Sequence, residues 1–228
     1  GHFGRMILED GVEKTSFHWE ADFDLSGRST LAIRPLLWVN DWPVAGELVQ
    51  EGTYALISER RGYALELEVD FVRINNGMRG WFMRQDEPVV QLEDQKLEDV
   101  QAGWPAGETR IRISDFMNRP HQKWDIVAVP EAGGYLGGPW FKIVISGTNR
   151  VLAATAEKEV VSVPEFTGAP EQLWRIDQLT DGTYRIMPKE VPGTDEPLAL
   201  ISVADSTPTL GKFDFDSDNS KWFFKPVK

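Results

Sequence analysis

Three short segments decide how this chain is read: Gln122-Lys-Trp124, Gln172-Leu-Trp174 and Ser220-Lys-Trp222. Their tryptophans recur at a period of roughly fifty residues, the signature of a repeated supersecondary unit. A phenylalanine precedes each, Phe116 and Phe166 at matching distances and Phe215 one residue nearer its tryptophan. Upstream, three segments open alike: Gly52-Thr-Tyr-Ala-Leu-Ile57, Gly138-Pro-Trp-Phe-Lys-Ile143 and Gly182-Thr-Tyr-Arg-Ile-Met187. Each is followed by a second apolar run: Tyr63-Ala-Leu-Glu-Leu67, Arg150-Val-Leu-Ala-Ala154 and Pro197-Leu-Ala-Leu-Ile201. The chain therefore carries three copies of one unit over 52–228. The first copy is longer than the others, which makes Val72–Gly107 an insertion.

The rest of the chain agrees with an all-β fold. Short runs rich in β-branched and aromatic residues alternate with Gly, Pro, Asn and Asp: Thr30–Ile33, Thr53–Ile57, Ala64–Val69, Arg110–Ile113, Phe141–Ile145, Val151–Ala154, Thr183–Met187 and Leu198–Val203. Only Gln91–Gln101 has a helical pattern, with Leu92, Leu97 and Val100 on one side. The 228 residues suffice for one large β domain or two ordinary ones. The net charge of −12 disfavours nucleic acid and anionic membrane surfaces as partners. The absence of cysteine excludes disulfides, thiolate metal sites and Cys nucleophiles. No apolar run approaches the about 18 residues of a membrane span, and the N-terminus has no signal-peptide pattern, as a mature exported protein would also lack one. Nine Trp and twelve Phe suit β cores and sugar-stacking platforms.

Three related units, each ending in Gln-x-Trp, resemble the ricin-type β-trefoil. The resemblance implies that Gln122, Trp124, Gln172, Trp174 and Trp222 are architectural, the tryptophans in a common core and the glutamines tying down loops. Phe116, Phe166 and Phe215 are expected to converge with them on a pseudo-threefold axis. Sugar-binding members use an acid or amide in the second strand of a repeat, an aromatic ring and a polar residue near Gln-x-Trp. Matched by position, the acid is Glu66 in the first copy, Ala153 in the second and about Leu200 in the third, so Glu66 alone retains it. Trp81, Phe82 and Trp104 in the insertion could form a platform for polysaccharide, cap an open barrel, or dock against a neighbouring domain. Glu66, Trp81 and Trp104 are thus the candidate sugar-binding residues.

Residues 1–51 do not fit the repeat. Leu31-Ala-Ile-Arg-Pro-Leu-Leu-Trp38 followed by Asp41-Trp-Pro-Val-Ala-Gly-Glu47 is similar to the segment that closes the five-bladed catalytic propeller in arabinan-degrading members of glycoside hydrolase family 43. The family has a glycine between the Asp and the Trp that this chain lacks. Gly1-His-Phe-Gly4, Phe17-His-Trp19 and Gly27-Arg28 fit the strands leading up to it. The resemblance implies a last propeller blade and linker over 1–51, then the β-trefoil over 52–228. It implies a plant-type polysaccharide such as arabinan as partner, with the catalytic propeller in the full-length protein or another chain, at an extracellular or periplasmic site. The alternative is a free-standing β-trefoil that binds carbohydrate or protein.

Catalysis in that family uses three carboxylates from earlier blades, the inverting pair spaced to hold a water. None can be assigned here, so no catalytic residue is expected; Asp22, Asp24 and Asp41 read as turn residues. The resemblance puts His2 near the propeller axis, where calcium or its waters would sit if the propeller is complete. A His there would act through water, because calcium prefers oxygen ligands; the residues alone favour a disordered terminal histidine. His18 reads as a packing residue and His121 as a surface residue. Asp214-Phe-Asp-Ser-Asp-Asn219 imitates the start of a calcium loop but lacks its Gly and Glu, and reads as a solvated turn. Trp38, Trp42 and Pro43 are expected in the seam between the N-terminal strands and the trefoil.

Overall fold

Alternating apolar and polar residues make strands that need a partner on one face, and the computed structural model pairs about half of its described residues in that way. It describes residues 2–9, 11–21, 27–69, 104–203 and 207–227. The N-terminal strands are β1 (Phe3–Glu9), β2 (Val12–Ala21), β3 (Arg28–Val39) and β4 (Trp42–Ala45). The first repeat contributes β5 (Gly52–Ser58), β6 (Ala64–Leu67), β7 (Thr109–Ser114) and β8 (Trp124–Ala128). A small hairpin, β9 (Gly134–Tyr135) and β10 (Gly138–Pro139), leads to the second repeat: β11 (Phe141–Ile145), β12 (Val151–Ala154), β13 (Val160–Val163) and β14 (Trp174–Gln178). The third repeat is β15 (Tyr184–Pro188), β16 (Ala199–Val203), β17 (Thr207–Gly211) and β18 (Trp222–Pro226).

The first and last strands of the three repeats close into a barrel in the order β5-β18-β15-β14-β11-β8, with β8 returning to β5. The middle strands form the hairpins β6–β7, β12–β13 and β16–β17. Those hairpins meet one another, β13 pairing β7 and Glu159 bridging Thr209. The architecture is a β-trefoil. Trp124, Trp174 and Trp222 are fully buried and share one core with Leu56, Leu65, Ile143, Leu152 and Leu200.

The pairing fixes the internal register. Trp124 lies opposite Tyr54 and Ile145, Trp174 opposite Phe141 and Pro188, and Trp222 opposite Tyr184 and Ser58. Tyr54, Phe141 and Tyr184 are therefore equivalent. The sequence alignment, which set Trp140 beside the two tyrosines, is one residue out in the second repeat. Since strand side chains alternate between faces, that single step takes Trp140 off the barrel-facing set.

The three phenylalanines do not converge on the axis as expected. Each is half-buried and lies beneath a lysine: Phe116 under Lys225 at 4.2 Å, Phe166 under Lys142 at 5.0 Å and Phe215 under Lys221 at 4.5 Å. Each ring packs face-on against a lysine ammonium, a contact that cation–π attraction stabilises, rather than against the apolar core.

The N-terminal strands form their own antiparallel sheet, β1-β2-β3-β4. Its tip is the two-residue turn Asn40–Asp41, with φ of 49° and 63°, the mirror-image turn that suits the twist of a hairpin. The sheet meets the trefoil at the β14–β15 turn: Trp38 N–H donates to the Thr180 carbonyl at 3.1 Å, and Thr180 N–H to the Gly11 carbonyl at 3.2 Å. Gly11 has φ +76°, and a Cβ there would lie 2.0 Å from the Phe215 ring. Beneath this contact, the buried Lys14 Nζ stands 3.5 Å from Asp177 Oδ1, while Arg175 and Arg185 approach Oδ2 at 2.6 and 3.3 Å.

Trp38 and Trp42 do not fill the seam with their rings. The Trp38 backbone reaches the trefoil, while its indole Nε1 donates to Glu13 Oε2 at 2.7 Å, with the Arg5 guanidinium 5.5 Å above the ring. Trp42 is 74% exposed, and Phe3 and Leu31 are exposed to a similar degree.

Candidate functional site

The glutamines of Gln-x-Trp each hold a loop through hydrogen bonds to backbone. The 3-10 turn Pro120–Gln122 holds the Gln122 amide so that Oε1 accepts from the N–H groups of Met117 and Arg119, while Nε2 donates to the Asp115 carbonyl at 2.8 Å. Gln172 repeats the arrangement, accepting from Thr167 N–H at 2.7 Å and donating to the Glu165 carbonyl at 3.3 Å. In the third repeat Ser220 is too short to span the loop, and its Oγ accepts from Asp214 N–H at 3.4 Å. The Asp214–Asn219 segment is a turn closed by Asp216 N–H on Asp214 Oδ1.

Glu66 stands in the second strand, as the alignment required, but fully buried rather than at the surface. Its Oε1 accepts from Arg112 Nε at 2.6 Å and its Oε2 from Gln122 Nε2 at 2.7 Å, with His121 Nε2 at 3.4 Å. Burial alone would raise its pKa, yet the hydrogen bonds and charges of His121 and Arg112 outweigh that and hold the carboxyl below its ordinary range. Both oxygens are engaged inside the protein, which leaves a sugar hydroxyl no route to them. His121, read as a surface residue, is buried for the same reason: it packs against this carboxylate. The tryptophan hydrogen bonds put Leu65, Leu152 and Leu200 at one equivalent position, so Glu66 corresponds to Ala153 and Ile201, not Leu200.

Trp81, Phe82 and the helical pattern at 91–101 lie outside the described residues. Trp104 is described: it is half-buried and packs against the core, and its Nε1 has no hydrogen-bond partner among the described residues. The chain next to it is clamped by Arg150, whose guanidinium donates to the carbonyls of Pro105 and Gly107, the latter at 3.0 Å. His2 is exposed, with its Nδ1 3.4 Å from Nε2 of His18. Two imidazoles are not the oxygen donors that calcium prefers. Among the described residues no group of three or more metal-ligating side chains occurs.

Among the described residues, two clefts of about 400 Å3 have room for a ligand. One, of about 410 Å3, lies where the third strands of all three repeats meet and is lined by Glu68, Arg110, Arg112, Glu159 and Thr207. The other, of about 400 Å3, is lined by Trp140, Arg175, Lys189, Glu190, Thr194, Asp195 and Glu196, among others. It combines an aromatic ring, two cations and three carboxylates, the side-chain chemistry of saccharide recognition. The sequence reading missed it, because aligning Trp140 with Tyr54 assigns its ring to the barrel. The consecutive aromatics Trp140 and Phe141 were the available signal: in a strand they must face opposite ways.

The comparisons follow the trefoil. The sequence pattern of the ricin-type beta-trefoil lectin domain-like family matches residues 120–193. No curated protein sequence matches the chain. A mosquitocidal holotoxin of known structure superposes with a TM-score of 0.52 at 13% identity, over 82% of this chain and 19% of its own. An exo-β-1,3-galactanase from Clostridium thermocellum gives 0.47 at 15% identity, over 99% of this chain and 45% of its own. The β-trefoil lectin of the Vibrio vulnificus hemolysin/cytolysin, solved with N-acetyl-D-lactosamine bound, gives 0.48 at 13% identity, over 79% of this chain and 98% of its own. The chain thus spans about a fifth of the holotoxin and under half of the galactanase. At these identities the likeness is one of fold: a lectin-like β-trefoil. Among the described residues no helix is long and apolar enough to cross a membrane.

Proposed function

We propose that this chain is the carbohydrate-binding C-terminal region of an arabinan-degrading glycoside hydrolase of the family 43 type, with the β1–β4 sheet serving as the last blade of its catalytic propeller. The observation that supports this most directly is the sheet itself. It is a four-stranded antiparallel meander, the form of a single propeller blade, and it leaves Phe3, Leu31 and Trp42 in solvent. A neighbouring blade would cover such residues and pair or shield the free edge of β1. The trefoil then acts as the accessory module, and the Trp140 cleft is where its surface joins a ring to hydrogen-bonding carboxylates. Catalysis belongs to carboxylates on other blades, so this region supports and targets the reaction. The polysaccharide partner puts the work in an extracellular or periplasmic setting.

Electrophoresis of the chain through gels containing arabinan or galactan tests the binding half of this reading: retarded migration is expected, and unchanged migration in both would overturn it. The coding sequence upstream of Gly1 tests the other half. Further blades bearing three carboxylates are expected in frame, and an unrelated domain there would overturn the propeller reading.

A further inference from the structure

Strand side chains alternate between faces, so β11 sorts its residues into two sets. Phe141, Ile143 and Ile145 belong to the core, which puts Trp140, Lys142 and Val144 together on the outer face. Trp140 is still part of the ladder: its carbonyl accepts from Val129 N–H at 2.8 Å, and its N–H donates to the Gly133 carbonyl at 3.3 Å. Trp140 lines the cleft already described. Lys142 and Val144 line a further one, of about 320 Å3, together with Thr148, Asn149, Glu165 and Phe166. The two clefts therefore follow one another along a single strand. At about 3.3 Å per residue, Trp140 and Val144 stand about 13 Å apart, more than one sugar ring covers.

The two clefts are built alike. Each has an aromatic ring with a lysine over it, Lys189 Nζ 5.2 Å from Trp140 and Lys142 Nζ 5.0 Å from Phe166. Each also has polar side chains without a hydrogen bond or ion pair among the described residues: Glu190 and Asp195 in one, Asn149 and Glu165 in the other. Carboxylates accept from sugar hydroxyls, and a carboxamide both donates and accepts. Cations and carboxylates are mixed in both clefts, so neither selects a charged ligand.

We infer that the two clefts are the ends of one track along the outer face of β11, which takes a stretch of a neutral, linear polysaccharide rather than a single sugar. An oligosaccharide laid along the strand reaches a ring and a set of hydroxyl partners at each end, whereas a disaccharide reaches one end only. Once one end is engaged, the other engages within the same complex, so affinity climbs with chain length. The track rests on the carbohydrate-binding reading and gives that reading an extended, uncharged ligand.

Calorimetry on the full chain with arabino- and galacto-oligosaccharides, from disaccharide to hexasaccharide, tests the track, alongside Asp195→Asn in the first cleft and Asn149→Ala in the second. Both substitutions lie on exposed side chains. In whichever series binds, the hexasaccharide is expected to bind about tenfold or more tightly than the disaccharide, one molecule per chain. Each substitution is expected to weaken the hexasaccharide severalfold. Equal affinity at every length, two hexasaccharides per chain, or a hexasaccharide affinity unmoved by Asn149→Ala would overturn the track and leave the carbohydrate-binding reading standing. So would a chain that binds no oligosaccharide yet is retarded in gels of arabinan or galactan. No binding of any oligosaccharide together with unretarded migration would count against both.

Discussion

The indole Nε1 of Trp124 donates to the carbonyl of Leu65 at 2.9 Å, across the first repeat from its last strand to its second. The same bond recurs from Trp174 to Leu152 at 3.0 Å and from Trp222 to Leu200 at 2.8 Å. Each ring therefore fills the common core with its apolar body and satisfies a buried carbonyl of the adjoining hairpin with its one polar atom. That double duty explains why tryptophan survives in the third repeat, where the glutamine has given way to Ser220.

Trp222→Phe is expected to retain most of the packing but strand the Leu200 carbonyl, at a cost of about 1–3 kcal/mol. Trp222→Ala removes the ring as well and is expected to cost about 3–5 kcal/mol. Urea unfolding of both variants reads the difference. Equal losses would mean that the hydrogen bond contributes nothing beyond the ring.

These tryptophans were legible in the sequence because a residue that packs and hydrogen-bonds at once tolerates few replacements, and its spacing repeats with the fold. The strands between them were legible only in part. Phe141–Ile145 and Val151–Ala154 carry enough apolar residues to stand out. β8, β14 and β18 each open on a tryptophan and mix in polar residues, such as Asp125, Arg175 and Lys225, that face away from the core. The site residues were harder to read. Glu66 sits at a position where an exposed acid was expected, but the sequence cannot reveal that Arg112, His121 and Gln122, far along the chain, converge on it. Trp140 was hidden by a register error of one residue, the smallest that exchanges the two faces of a strand.

The buried Glu66 cluster makes stability depend on pH. Its carboxyl pKa is lower in the folded chain than in the unfolded one, so the stability it contributes is fully present above the unfolded value of about 4.3. That contribution is lost as the pH falls through the lower folded value. Glu66→Gln is expected to cost about 1–3 kcal/mol near neutral pH, since Arg112 and His121 lose their shared anion. The gap between wild type and variant should then narrow on acidification. Denaturant midpoints measured from neutral to acidic pH check this; a gap that stays constant would show that the carboxylate charge is irrelevant to the cluster.

Asp177 and Lys14 are expected to respond with unequal force, although they face each other. Asp177→Asn removes the one carboxylate that Lys14, Arg175 and Arg185 share and leaves buried cations facing each other, at an expected cost of about 3–5 kcal/mol. Lys14→Met leaves both arginines on Asp177 and relieves a lysine whose pKa burial holds below its usual range, so little or no loss is expected. Because the folded pKa of Lys14 is depressed, its burial penalty should also fade as the pH rises from that value toward the unfolded one, about 10.4. Thermal unfolding across alkaline pH checks the sign: wild type should gain on Lys14→Met as the pH rises, and a wild type that instead loses ground would mean the ammonium is stabilised where it lies.

The hairpin tip at Asn40–Asp41 carries the last prediction. Trp42 is 74% exposed and Val39 51%, on a turn whose backbone geometry does not depend on either side chain. Trp42→Ser should therefore change folding stability by no more than about 0.5 kcal/mol. If the exposed face of the β1–β4 sheet is built to be covered by a neighbouring blade, the isolated chain should self-associate weakly through it, and Trp42→Ser should shift sedimentation toward the monomer. A chain that remains monomeric at high concentration with Trp42 intact would argue that the sheet is finished as it stands. A large loss of stability in Trp42→Ser would show instead that the ring closes the hairpin against the rest of the fold, and the apolar face would then need no partner.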